Sequence, residues 1–152
     1  MLFIFVVLIG IVAGLRTLTP IAAVSWAAYL GWIDLNGTPL AFFGFRWAPW
    51  IATVLAIVEY ITDQLPSTPS RTVPVQFGAR IISGGLCGAA IGVTQNALVL
   101  GALLGIVGAV IGTLGGRAAR GALAAQFKSD RPAAFLEDAV AILLAFLIVS
   151  SV

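Results

Sequence analysis

The chain has no histidine, a single cysteine, and charged side chains at only 9% of its 152 positions. Each shortage removes a class of function. Without histidine there is no imidazole for a Ser-His-Asp triad, and a lone thiol cannot complete a Cys/His metal site. Cys87 also excludes an internal disulfide, and among glycines and alanines it reads as a small packing residue. Neither a P-loop nor a dinucleotide fingerprint occurs, so no cofactor, metal or catalytic residue is expected and the chain does not read as an enzyme. A net charge of +2 with no basic stripe or aromatic ladder gives no footprint for nucleic acid. The shortage of charge says most. A soluble domain carries about 25% charged residues, and this chain has too few to cover its own surface.

What is present in quantity is apolar. These residues make up 61% of the chain and fall into long runs separated by short polar breaks. That pattern predicts an all-α integral membrane protein, one domain over 1–152, with five to six short transmembrane helices. The N-terminus lacks the basic region of a secretory signal, so the first segment is expected to be retained. The segment GLRTLTP (14–20) interrupts the first apolar stretch. One straight helix over 1–33 would be roughly 50 Å long against a hydrocarbon core of about 30 Å. Pro20 also lacks the N–H that an interior helical bond requires and disfavours helix at Thr19. Two short segments are therefore expected, near 2–15 and 20–33. Further passes read as 47–65, 76–94, 97–116 and 132–151, with polar segments at 66–74 and 116–131, part of the second able to extend a helix into the interface.

Arg71, Arg117, Arg120, Lys128 and Arg131 lie in those two loops, with Arg80 just inside, while Arg46 stands alone on the other side. By the positive-inside rule the two loops are cytoplasmic. Two short first passes bring Arg16 to that same side and place both termini outside; one pass would strand it in lipid at high cost. Trp32, Trp47 and Trp50 then flank an external loop as an interfacial belt.

Gly101, Gly105, Gly108, Gly112, Gly115 and Gly116 recur at spacings of three and four, on one helical face. Gly84, Gly85, Gly88 and Gly92 give the preceding pass a similar face, as do Gly10 and Gly14 in the first. Such faces let backbones approach closely. Packing within the chain is the first expectation; a homodimer through the 101–116 face is the sharper one.

The charges inside the passes form the candidate site. Glu59 and Asp63 are four apart and share a helical face. Glu137 and Asp138 enter the last pass from the cytoplasmic side, Arg80 reaches a comparable depth, Arg117 caps the Gly-rich pass, and Arg16 sits in the break. Four acids and three arginines thus converge on one level. Read functionally, Arg16, Glu59, Asp63, Arg80, Arg117, Glu137 and Asp138 line a cytoplasm-facing cavity for an ion or small polar solute, with Glu59 able to carry a proton, in a small transporter or channel-like protein. Read structurally, they are ion pairs that fix helix register in a non-transporting scaffold or lipid-interacting protein. PSTPSRT (66–72) could cradle a phosphate, but reads first as a solvated proline-rich loop.

GLRTLTPIAAVSWAAYLGW, then VEYITDQLPSTPSRT with ARIISGGLCGAA, then GTLGGRAARGAL and LEDAVAILLAF, resemble the bacterial membrane proteins grouped as domain of unknown function 4126. The resemblance runs over nearly the whole chain in order. It is carried by Gly14-Leu15-Arg16, the Glu59/Asp63 pair with Pro66, Arg80, and Glu137-Asp138. It implies an integral protein of the bacterial inner membrane and brings no activity with it.

Overall fold

The structure is a computed structural model that describes residues 2–63, 74–127 and 130–151. Those residues form α1 (Leu2–Leu15), α2 (Leu18–Tyr29), a short 3-10 turn (Ala41–Gly44), α3 (Ala48–Asp63), α4 (Pro74–Val93), α5 (Leu98–Phe127) and α6 (Asp130–Ser151), with no strand among them. The described residues are all-helical, with six α-helices, as the apolar runs predict. Within 116–131 the helical alternative holds for the greater part, because α5 continues to Phe127. The Ala-rich sequence there (RAARGALAAQF) favours helix over loop. The expected loop at 66–74 and the PSTPSRT phosphate cradle lie outside the described residues, apart from Pro74, which opens α4.

The break in GLRTLTP falls where the backbone chemistry requires it. In α1, helical bonding runs on to Arg16, whose N–H donates to the Val12 carbonyl at 2.8 Å. A helix continued through Pro20 would drive its ring against the carbonyl four residues back, that of Arg16. Pro20 instead occupies the first turn of a new helix, where a missing N–H costs nothing.

The chain also reverses here. Gly14 lies against Ala109–Thr113 of α5, whereas Pro39 and Leu40, beyond the end of α2, lie beside Leu98 and Ala102 at the other end of that helix. Thus α1 and α2 form a helical hairpin with GLRTLTP at its tip. α2 ends in a Schellman motif: Gly31 has φ +84° and the Trp32 N–H reaches the Ala27 carbonyl at 2.8 Å. The same device turns α4 into α5, with Asn96 at φ +53° and the Ala97 N–H on the Gly92 carbonyl at 2.9 Å.

Glycine sets the packing of the centre. α1 and α4 both lie along α5, α1 parallel to it and α4 antiparallel. A Cβ at Gly108 would stand 2.9 Å from the Gly10 Cα, and one at Gly101 would stand 2.9 Å from the Gly92 Cα. Both are closer than real Cβ contacts, so no larger residue fits without separating the helices. The expectation of packing within the chain therefore holds. Gly101, Gly105, Gly108 and Gly112 of the 101–116 face are covered by α1 and α4, whereas nothing lies within 4 Å of a Cβ at Gly115.

The outer surface carries large apolar side chains. Ile51, Val54, Ile57 and Ile61 of α3, Val99, Leu103 and Val107 of α5, and Phe135, Leu143 and Phe146 of α6 are all exposed. Among the described residues, one stretch, Leu98–Ala119, is long and apolar enough to cross a membrane. Phe3–Leu15, Leu18–Tyr29 and Ala48–Ile61 are apolar but shorter.

Candidate functional site

The broken hairpin leaves two helix ends inside the protein, each with backbone groups that no turn of helix satisfies. At the start of α2, Thr17 takes the capping position, yet its hydroxyl makes no capping bond. The cap comes from another helix. Glu59 of α3 accepts the Thr17 N–H at 3.0 Å through Oε2 and the Leu18 N–H at 3.1 Å through Oε1. A carboxylate is the right group here, because the helix dipole gives that end a partial positive charge.

At the end of α1 the polarity is opposite, and so is the ligand. Arg80 of α4 is almost wholly buried, and its Nη1 donates to the Gly14 carbonyl at 2.7 Å. Ser83, three residues on and so on the same face of α4, donates to the Thr17 carbonyl at 2.5 Å. An acid from α3 therefore holds the amino end of one half-helix, and a base from α4 holds the carboxyl end of the other.

Arg16 fills the gap between them. Its side chain is 0% exposed. Its guanidinium pairs with Asp138 through Nε and Nη2, and its Nη1 lies 3.7 Å from Glu137 Oε1 and 3.3 Å from the Leu15 carbonyl. Its Cζ is 5.9 Å from the centre of the Tyr60 ring, within cation–π range. The Tyr60 hydroxyl in turn bonds Thr19 Oγ1, in the first turn of α2. A buried arginine with two carboxylates beside it is the arrangement that keeps the charge affordable in a low-dielectric interior.

The structure thus brings Arg16, Glu59, Arg80, Glu137 and Asp138 together around GLRTLTP. Two of them also engage backbone ends: Glu59 at the start of α2 and Arg80 at the end of α1. Arg117 is exposed on α5. Asp63 closes α3, and its side chain lies outside the described residues. Sequence reasoning overlooked Tyr60, Thr19 and Ser83. The signal was available, since Tyr60 adjoins Glu59, Ser83 is one turn from Arg80, and Thr19 stands inside the motif.

Beside this polar core lies a cavity of about 520 Å³ between α2, α3 and α6. Thr19 and Tyr60 form one end of it, Leu30 and Trp32 the other, with Ile57, Ile142 and Phe146 along its walls. It exists because α3 packs on α2 and the 3-10 turn and hardly on α6. Its walls are apolar, and their polar groups are bonded: Thr19 to Tyr60, and the Trp26 Nε1–H to Thr53 Oγ1 at 2.8 Å, which donates to the Pro49 carbonyl at 2.7 Å.

The family model described as Domain of unknown function (DUF4126) matches residues 4–151. The chain belongs to this family. That span holds every residue of the break and its partners, so the DUF4126 unit is the whole six-helix bundle, not a segment of it. Comparison with curated proteins and with solved structures gives no match.

Proposed function

We propose that this DUF4126 chain is a multi-pass protein of the bacterial inner membrane that interacts with lipid, and that its buried charges hold the broken hairpin together instead of conducting a solute. The membrane part is supported by the apolar outer faces of α3, α5 and α6, which are far larger than a water-soluble monomer tolerates. Exposed Trp32, Trp47 and Trp50 near one end suit a membrane–water interface. The positive-inside rule supports a cytoplasmic side at the other end, since Arg71, Arg117, Arg120, Lys128 and Arg131 follow α3 and α5 in the sequence.

The observation that carries the second part is the engagement of the charges. Glu59 and Arg80 cap helix ends, Arg16 is paired with acids, and the cavity beside them is lined by hydrocarbon. Alkaline carbonate extraction of cell membranes tests the first part, and release of the protein into the supernatant would refute it. Recording currents from proteoliposomes across a panel of small ions tests the second, and a current abolished by Glu59→Gln in a folded variant would refute it.

A transport reading keeps one specific observation in its favour. Half-helix ends that meet at charged groups are how many transporters hold an ion or substrate, and the α1–α2 break has that form. In this reading the site residues are Arg16, Glu59, Asp63, Arg80, Arg117, Glu137 and Asp138, the solute is small and polar or charged, and the current measurement reports a charged one while uptake of labelled solute into proteoliposomes reports a neutral one.

A further inference from the structure

We propose that the α2–α3–α6 cavity is a binding site for one acyl chain of a bilayer phospholipid, drawn from the leaflet at its Leu30/Trp32 end. This rests on the lipid-interacting reading above. Three properties of the cavity point to a hydrocarbon chain. Its volume, about 520 Å³, falls within the roughly 300–1,000 Å³ range of small-ligand sites. Its length follows α2, whose 12 residues span about 18 Å, against about 15 Å for one leaflet of a hydrocarbon core about 30 Å thick. Its walls are hydrocarbon apart from Thr19, Tyr60, Trp26 and Thr53, whose polar groups already bond one another or backbone. A polar solute entering there would give up its hydration for, at most, the spare hydroxyl capacity of the Thr19–Tyr60 pair at the far end.

A single extended chain enters side-on, between the exposed Ile57 of α3 and Ile142 and Phe146 of α6, which are exposed too. The bonded Thr19–Tyr60 pair closes the far end, so the chain terminus would stop at the level of the charged core without touching it.

Trp26, half-buried in the cavity wall, makes the test direct. A protein with Trp26 as its only tryptophan (Trp32→Phe, Trp47→Phe, Trp50→Phe) is reconstituted in bilayers of phosphatidylcholine mixed with phosphatidylcholine brominated near the end of its acyl chain. Bound-chain occupancy predicts quenching of Trp26 that saturates at a low fraction of brominated lipid. Ala22→Phe, which fills the cavity, should abolish that saturable component, and if that variant fails to fold, Ile57→Phe at the mouth should do the same, read on Trp26 as the sole tryptophan. A Leu103→Phe change on the far face of α5 should leave it intact. Quenching that rises in proportion to brominated lipid, as for random contact, would overturn the proposal while leaving the membrane reading standing. Trp26 shielded from bromine in a protein that crosslinks as a dimer through Ile57 and Phe146 would also overturn it. Failure of the protein to float with the vesicles would instead overturn the membrane reading itself.

Discussion

Replacing Glu59 by glutamine is the sharpest probe of the broken hairpin. The carboxylate accepts two N–H groups at the start of α2, at 3.0 and 3.1 Å, and sits at the positive end of that helix. Glutamine keeps the shape and one acceptor oxygen. It loses the charge, and it turns an NH2 group toward a backbone N–H. Loss of a helix cap costs about 0.5–2 kcal/mol, and loss of the charge–dipole term about 0.3–1 kcal/mol, rising toward 2 when partly buried. Glu59 is half-buried, so these add to about 2 kcal/mol for Glu59→Gln. Alanine leaves both N–H groups without this acceptor and should cost about 3 kcal/mol, since each buried unsatisfied group costs about 1–3 kcal/mol.

In a chain of this size 1 kcal/mol shifts Tm by about 2–4 °C, so Glu59→Gln should unfold about 4–8 °C below the wild type. Thermal unfolding in detergent, followed by circular dichroism, measures this. The expected order is wild type, then Gln, then Ala. A Gln variant as stable as the wild type would refute the capping role and would return Glu59 to the candidates for proton or ion handling. Glu59→Asp should fall between wild type and Ala, because the shorter side chain cannot keep both bonds.

Arg16→Ala should cost about 3–5 kcal/mol, the usual penalty for stripping a buried pair of one partner, and a double-mutant cycle with Asp138→Ala should show a coupling of about 1–3 kcal/mol by thermal or chemical unfolding. Gly108→Leu should prevent folding of the monomer, because its side chain would have to occupy the space of Gly10, and size-exclusion chromatography should show aggregate instead of a changed oligomer. Gly115→Ala should be neutral to stabilising by about 0.5–1 kcal/mol, since nothing lies within 4 Å of a Cβ there; a loss of Tm would show an unseen neighbour at that face. Cysteines introduced at 70 and 125 should resist a membrane-impermeant thiol reagent in intact cells and react after permeabilisation, and labelling from outside would reverse the orientation.

Periodicity and proline chemistry made most of this fold legible. The runs at 47–65, 76–94 and 132–151 are helices within a few residues of those limits, and Pro20 marked the hairpin tip. The clustering of Arg16, Glu59, Arg80, Glu137 and Asp138 was legible from their depth along their passes. Their partners were not. Depth alone suggests that acids and bases at one level pair with each other, as Arg16 does with Asp138. It says nothing of backbone groups, which are invisible in a one-letter code and reveal themselves only when a helix ends inside the protein. The small-residue stripe of α5 was ambiguous for a related reason. Sequence shows that a face can approach another backbone, and only the three-dimensional arrangement shows that Gly10, Gly84 and Gly88 already do.

The break explains why charged residues are tolerated in so apolar a chain. A hairpin tip on the surface would let water satisfy its open N–H and C=O groups. Here Gly14 and Arg16 are buried, so each open group requires an acceptor or donor from the protein. Local capping is not made: Thr17 is held in helical geometry, and its side chain forms no capping bond. The ligands must therefore come from other helices. A charged one is worth more than a neutral one at a helix end, with the sign set by the dipole. That selects an acid on α3 for the start of α2 and a base on α4 for the end of α1, which are Glu59 and Arg80. Arg16, carried into the same interior by the chain itself, then requires counter-charges of its own, and α6 supplies Glu137 and Asp138. Five of the chain's fourteen charged residues (eight Lys+Arg and six Asp+Glu) thus follow from burying one reversal of the backbone.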